Sequence, residues 1–360
     1  MTDSPKVFVA RAGRNGEDED DALELGLAII GFEEVPSLAA AQDYGQILQL
    51  VREGLPAEKP KAQVNYAGQL WAFRLSIREG DIIVLPRKRA PEIALGIVSG
   101  PYAHQTVRGR LRHTLPVRWI RASVPRTEFE QDLLFSFGAF LTVCNVSRND
   151  AARRVAAVLA GGSDPGYAVE VAAPAAPAAP TATAPVTVPQ APVAEEAPTD
   201  LEGLLADQIR RRIQSRFAGH ALASLVDAVL QAEGWATELS PAGPDGGVDV
   251  LAGRGPLGLD APRLCVQVKS QSGKADVNVY RALRGSMQDF KADQGLLVCW
   301  GGFTRQVEVE ARQAHFSLRL WGSAELVEAI LKNYDRLSAE IQAELPLKRV
   351  WMLVEDEALG

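Results

Sequence analysis

The sequence predicts two domains of mixed architecture: an α+β domain around a small curved sheet or barrel, then an α/β domain around a sheet with parallel pairs. Three observations predict it. Between residues 156 and 208 there is no lysine or arginine, and "VAAPAAPAAPTATAPVTVPQAPVAEEAPTD" is mostly Ala, Pro, Thr and Val without helical or alternating period. Before it, five short apolar runs, several ending at Gly or Pro, follow one another with few helices between them. After it, apolar runs alternate with segments of helical period.

The proline-rich stretch buries too little apolar surface to offset its ordering entropy, and repeated proline favours extended backbone. Residues 161–200 are therefore expected to be a semi-rigid tether between a domain at 1–160 and a second at 201–345, with a tail at 346–360.

In the first domain the strand candidates are "KVFVARA", "LAIIGF", "DIIVLP", "IALGIVSG" and "HTLPVRWI". Helices are expected from Asp18 to Leu25 and from Tyr44 to Glu53, the second with an incomplete apolar face at Ile47, Leu48, Leu50 and Val51. A doubly wound nucleotide fold would need more helix than this. In the second domain Phe217, Leu222, Leu225, Val226, Val229 and Leu230 recur at helical spacing up to Gly234. Then come "GVDVLA", "RLCVQVKS", a helix capped by Asp276, "GLLVCW", a short helix from Thr304, "FSLRLW" and a helix from Ser323.

A chain of 360 residues, 47% hydrophobic and 23% charged, has the composition of soluble globular protein. It has no signal-peptide pattern and no apolar run long enough to span a bilayer, so no membrane partner and a cytoplasmic location are expected. Cys144, Cys265 and Cys299 are dispersed in apolar contexts, which fits core residues rather than disulfides or metal ligands. The net charge of -7 argues against nonspecific coating of nucleic acid. Cations are nevertheless concentrated locally: Arg87, Lys88 and Arg89; Arg108, Arg110 and Arg112; and the run from Arg210 to Arg216. The first two groups are candidates for holding DNA phosphates. Anions cluster from Glu17 to Asp21.

"CVQVKS" places a glutamine and a lysine inside a stretch otherwise fit for a buried strand. Side chains alternate along a strand, so Gln267 and Lys269 share one face, and a preceding antiparallel strand could bring Asp249 beside them. For phosphodiester hydrolysis that set suffices in outline: Asp249 ligates a hard divalent cation, Gln267 adds an amide oxygen, and Lys269 orients or deprotonates a water. Asp245, before two glycines, is expected to form the turn through side-chain bonds to backbone amides. The segment around Trp300, Gly301 and Gly302 lacks the lysine and hydroxyl residue of a phosphate loop, so no nucleotide hydrolysis is expected.

"PDGGVDVLA", "CVQVKS", an amphipathic helix, "GLLVCWGGFTRQVEVEA" and "LRLWGSAELVEAI", in that order, resemble the catalytic domain of Mrr-type restriction endonucleases. That is the D-QxK branch of the PD-(D/E)xK nuclease superfamily. The resemblance covers roughly 205–335 and implies a restriction-endonuclease-like α/β sheet, Asp249, Gln267 and Lys269 as catalytic residues, Asp249 and Gln267 as metal ligands, and Mg2+ as cofactor. Many members carry an acid in the first helix after a phenylalanine. Here Ala218 and Gly219 follow Phe217, which leaves His220 as a candidate fourth residue.

The strand order of the first 125 residues, with Gly80-Asp81 before a β run, resembles the PUA-like barrels of the EVE and YTH kind. The resemblance implies a pocket for a single modified base, with Phe32 as its aromatic wall and Arg11 and Gly13 near its mouth. Trp71, Phe73 and Tyr102 are further candidates for stacking on the base. The expectation for the whole chain is a modification-dependent, type IV-like endonuclease acting on double-stranded DNA, as a homodimer at least when bound. The rivals are a repair or junction nuclease indifferent to modification, and an inactive modified-DNA-binding protein.

Overall fold

A computed structural model describes residues 5–88, 90–167, 191–194, 200–241 and 247–350. Arg89, Asp245, most of the expected tether and the last ten residues lie outside the described residues. The chain forms two compact units that divide between Leu204 and Leu205. No helix among the described residues is long and apolar enough to cross a membrane.

In the N-terminal unit β1 (Val7–Ala10) leads to α1 (Glu19–Leu25), β2 (Leu27–Ile30), α2 (Tyr44–Gly54) and α3 (Pro60–Trp71). Strands β3 (Ile82–Pro86), β4 (Glu92–Val98), β5 (Ala103–Val107) and β6 (Arg110–Pro125) follow, then α4 (Gln131–Phe137), β7 (Val143–Val146) and α5 (Ala151–Leu159). The sheet order is β2-β6-β4-β3-β1-β7, with β5 also on β6. Among the described residues the sheet is open, which corrects the expected small barrel. The reason lies in β6, which is 16 residues long. Its first half pairs with β5 and β2 and its second half with β4 across two register shifts, so the sheet curves without its edges meeting. Gly96 allows this crossing, because a Cβ there would lie 2.4 Å from Val117 Cγ1 and 2.8 Å from Trp119.

Helix α3 has no counterpart in the expected element list. Pro60 occupies its first turn, a position where the missing N–H costs nothing, and Gln63, Ala67 and Leu70 form its buried face. Trp71 therefore ends a helix, and Phe73 sits in the wide helical turn that follows.

Part of the expected tether is packed. Asn145 N–H donates to Pro192 O at 2.8 Å on the outer edge of β7, and Ala194 is buried in the core of the unit. An edge strand offers unpaired backbone groups, and this segment satisfies one of them. Asp164 joins Asp132 on the fully buried Arg154, with bonds of 2.6 to 2.9 Å to the two carboxylates.

Helix α6 (Leu201–Arg216) spans the division between the units. The second unit continues with α7 (His220–Ala232), β8 (Ala236–Leu239), β9 (Val250–Arg254), β10 (Asp260–Lys269), α8 (Val277–Asp289), β11 (Gln294–Cys299), α9 (Arg305–Gln313), β12 (Leu318–Trp321), α10 (Ser323–Asn333) and α11 (Ala339–Glu344). Its sheet runs β12-β11-β10-β9-β8. β10, β11 and β12 are parallel, and β8 and β9 are antiparallel additions. Val250, Val266, Val268 and Val298 face α7 and α10, while Cys265, Leu297 and Cys299 face α8 and α9. Strands covered on both faces read as continuous apolar runs, which explains why polar residues inside β10 stand out. Asp276 caps α8 by accepting from the N–H groups of Asn278 and Val279.

Candidate active site

Asp249 immediately precedes β9, whose register sets Val250 opposite Val266. Its N–H donates to Val266 O at 2.8 Å, and its Oδ2 accepts from Val268 N–H at 2.7 Å. Asp249 is thereby held against β10 on both sides of Gln267, through its backbone N–H at Val266 and its carboxylate at Val268. Gln267 is 5% exposed, and its Oε1 is buried without a hydrogen-bond partner among the described residues. Lys269 ends β10 opposite Cys299 and is partly exposed. The structure thus brings Asp249, Gln267 and the Lys269 backbone position together at one end of the sheet.

The N–H of Gly219, the residue before α7, donates to Ser270 Oγ at 3.2 Å. This bond sets the start of α7 next to the end of β10 and places the exposed His220 in the same neighbourhood. Ser270 was not singled out from the sequence, where it reads as an ordinary strand-ending serine. Burial pushes the Cys265 thiol up to about 11 and also raises that of Cys299, against the nearby Lys269 charge. Both stay protonated core groups.

Asp249 and Gln267 offer one carboxylate and one amide oxygen. A hard divalent cation that keeps several waters and takes further oxygens from a phosphate fits so small a protein donor set. The partnerless Gln267 Oε1 is the kind of buried acceptor that such an ion or its water would satisfy. Among the described residues no group of three or more His, Cys, Asp or Glu could hold a metal.

The expected DNA-contacting residues of the N-terminal unit are placed differently from one another. Phe73 is fully buried in the core, which removes it from a base-stacking role. Arg11 donates to Phe137 O at 2.7 Å and Ala139 O at 3.0 Å, fastening the end of α4. Burial lowers its pKa. Gly13 has φ of 84° and lies against the Glu17 carboxylate, in a turn closed by Arg14 and Asn15 N–H groups donating to Glu17. Trp71 is partly buried. Tyr102 is also partly buried, with its ring edge-on to Phe73. Phe32 is partly exposed, pairs with Tyr66 at 5.4 Å and has φ of 69°.

The basic candidates meet acids. Arg112 is 2% exposed and bonds Asp18 at 3.1 Å with Glu33 beside it, so it is not available to a phosphate. Arg87 is enclosed by Glu19, Asp20 and Glu92. Arg110 bonds Asp18 at 2.6 Å, and Arg108 pairs with Asp21 and Glu24 at 3.2 Å. The Lys88 N–H donates to Glu19, and burial lowers the pKa of its amine. The acidic run and the two basic runs, distant in sequence, neutralise each other where α1 packs over β4 and β6.

The D, Q, K arrangement stands at one end of a five-stranded sheet covered by helices on both faces. Residues 214–330 match the family model described as "Restriction endonuclease", so the C-terminal unit carries a restriction endonuclease domain. Residues 6–136 match a model described as a domain of unknown function, DUF8426. No curated protein matches the chain. Two solved structures are similar to it: the DNA modification-dependent restriction endonuclease AspBHI, and the MspJI restriction endonuclease in complex with a 27-mer oligonucleotide. The first is 15% identical with TM-score 0.32, over 80% of this chain and 74% of that one. The second is 14% identical with TM-score 0.32, over 95% and 80%.

Proposed function

We propose that the chain is a Mg2+-dependent endodeoxyribonuclease of the modification-dependent restriction type. Its C-terminal unit cuts double-stranded DNA in the cytoplasm, and its N-terminal unit reads a modified base. The observation that carries the reading is the Asp249 carboxylate bonded to the Val268 N–H beside a buried Gln267 Oε1 that has no partner among the described residues, within a restriction endonuclease domain.

Asp249 and Gln267 are the residues to hold the cation, which when bound supplies Lewis-acid polarisation of the phosphate and a more acidic water. Lys269 orients or takes a proton from the attacking water and offsets the charge that develops on the phosphate oxygens. The Gly219 bond to Ser270 ties the start of α7 to the residue that follows Lys269. One such site cuts one strand, so a double-strand break takes two copies of the chain.

Plasmids carrying 5-methylcytosine, 5-hydroxymethylcytosine, N6-methyladenine or no modification, digested with and without Mg2+, test the reading beside Lys269→Ala. Cutting of one modified plasmid only, dependent on Mg2+ and abolished in the variant, is expected. Equal cutting of all plasmids would favour a repair-type nuclease. Retention of modified DNA without any product would favour an inactive binder.

A further inference from the structure

The N-terminal unit contains a buried polar chain that no part of the nuclease chemistry uses. His113, on β6, is fully buried. Its neighbours across the sheet are Ile30 on β2 and His104 on β5. The two imidazoles stack at 4.5 Å and 18°. On one side the Tyr102 hydroxyl lies 2.6 Å from His113 Nδ1, and on the other His113 Nε2 lies 3.2 Å from Phe32 O.

The proton positions along this chain follow from which groups can donate. The Phe32 carbonyl can only accept, so the Nε2 facing it carries the proton of the neutral imidazole. The Tyr102 hydroxyl, whose oxygen also accepts from Leu38 N–H at 3.1 Å, donates to Nδ1. Val35 N–H donates to that same carbonyl at 3.0 Å. Desolvation, and then the neighbouring His104, lower the His113 pKa to about 4, so the neutral tautomer persists at physiological pH.

What this chain holds is a strained aromatic. Phe32 has φ of 69°, the left-handed region that bulky side chains avoid, and such strain persists only where the surroundings impose it. The residue is partly exposed, and its ring tilts 59° against Tyr66. The loop beyond it is fixed as well, because Arg74 donates to Leu38 O and Ala39 O while lying over the Tyr102 ring.

We propose that His113 and Tyr102 are positioning residues for base recognition: their hydrogen-bond chain holds Phe32 in its left-handed backbone so that the Phe32 ring, braced by Tyr66, presents a stacking face to a nucleobase. This rests on the base-reading role proposed above and adds to it the residues that build the face. A strained aromatic fastened at its own carbonyl keeps its ring direction when a flat ligand arrives, which is what stacking selectivity requires.

The test uses the full chain without divalent cation, so that DNA is bound and not cut. Fluorescence anisotropy measures dissociation constants for duplexes carrying 5-methylcytosine, 5-hydroxymethylcytosine or N6-methyladenine and for the unmodified duplex. His113→Gln keeps an acceptor for Tyr102 and a donor for Phe32, whereas His113→Leu removes both. The expected result is a preference for one modified duplex that His113→Gln retains and His113→Leu and Tyr66→Leu reduce about tenfold. Affinity for the unmodified duplex stays within about twofold. Nitrogen-15 imidazole spectra of the wild type should show His113 protonated on Nε2. If His113→Leu does not fold, Tyr102→Phe takes its place, since it removes only the proton that Nδ1 accepts. A wild type that binds all duplexes equally overturns the base-reading role itself. A wild type that discriminates, with His113→Leu or its substitute discriminating as well, or with the proton on Nδ1, overturns the positioning chain alone.

Discussion

Asp249→Asn and Asp249→Ala separate two jobs of one carboxylate. Its Oδ2 receives the Val268 N–H at 2.7 Å in a partly buried position. Asparagine can keep that bond as a neutral one. A charge-assisted bond contributes about 1.5–3 kcal/mol and a neutral one about 0.5–1.5, so Asp249→Asn should cost about 1 kcal/mol locally. Alanine leaves the Val268 N–H without its acceptor, at a cost of about 1–3 kcal/mol. Because 1.4 kcal/mol is tenfold in an equilibrium constant, amide exchange at Val268 should accelerate about five- to 150-fold in Asp249→Ala and less in Asp249→Asn. Cleavage behaves differently. Both variants remove the negative charge, and both should lower Mg2+-dependent nicking of plasmid by at least about a hundredfold. Hydrogen exchange read by mass spectrometry and a nicking time course supply the two measurements. Wild-type nicking by Asp249→Asn would refute the assignment of the carboxylate to metal binding. Unchanged exchange in Asp249→Ala would refute its role in holding β9 to β10.

Gln267→Glu should be less stable than wild type in chelator, since it sets a second carboxylate beside Asp249 in a site only 5% exposed, and Mg2+ should raise its melting temperature more than it raises that of wild type. Equal Mg2+ shifts in the two proteins would contradict a metal site there. Arg154→Leu strands the carboxylates of Asp132 and Asp164 and should destabilise the N-terminal unit by about 3–5 kcal/mol in urea unfolding. The same pair sets an acid limit. The Arg154 bond holds Asp132 below the usual carboxylate range, and Asp164 is also depressed, since its bonds to Arg154 and to backbone N–H groups outweigh burial. Depressed carboxylates stabilise above their unfolded pKa near 3.9, and that contribution is lost as pH falls through their lower folded values. Wild type should therefore lose stability steeply below about pH 4, and Arg154→Leu should show a flatter profile in thermal melts. The three buried cysteines should resist a thiol reagent in the native protein and all react on unfolding. Rapid labelling of Cys265 in native protein would contradict its burial.

Much of the second unit is legible in the sequence because its signals are local. Asp276 stands two and three residues before the N–H groups it caps, and the strands of a doubly covered sheet read as apolar runs that Gln267 and Lys269 interrupt. The first unit is less legible. Its aromatic and cationic residues were assigned by type, and type does not say whether a phenylalanine lines a core, as Phe73 does, or a surface. One further signal was present: the turn at Arg108 and Gly109 lies midway between His104 and His113, so a tight hairpin would set the two imidazoles opposite each other, as β5 and β6 do.

The sequence by itself determined the helix and strand periods of the second unit and the Asp249, Gln267 and Lys269 pattern, because spacing along a strand or helix acts between near neighbours. The division between the units, by contrast, falls at Leu204 and Leu205 and not in the proline-rich stretch. Tertiary structure alone decided which charges are paired. Arg87, Arg108, Arg110 and Arg112 meet the acids of α1 and its flanks only when strands about 70 to 90 residues away are folded against them. Electrostatic pairing depends on distance through space, and a linear count of charge has no access to it. The same holds for Phe32, whose left-handed backbone carries a carbonyl that faces His113, 81 residues further along the chain.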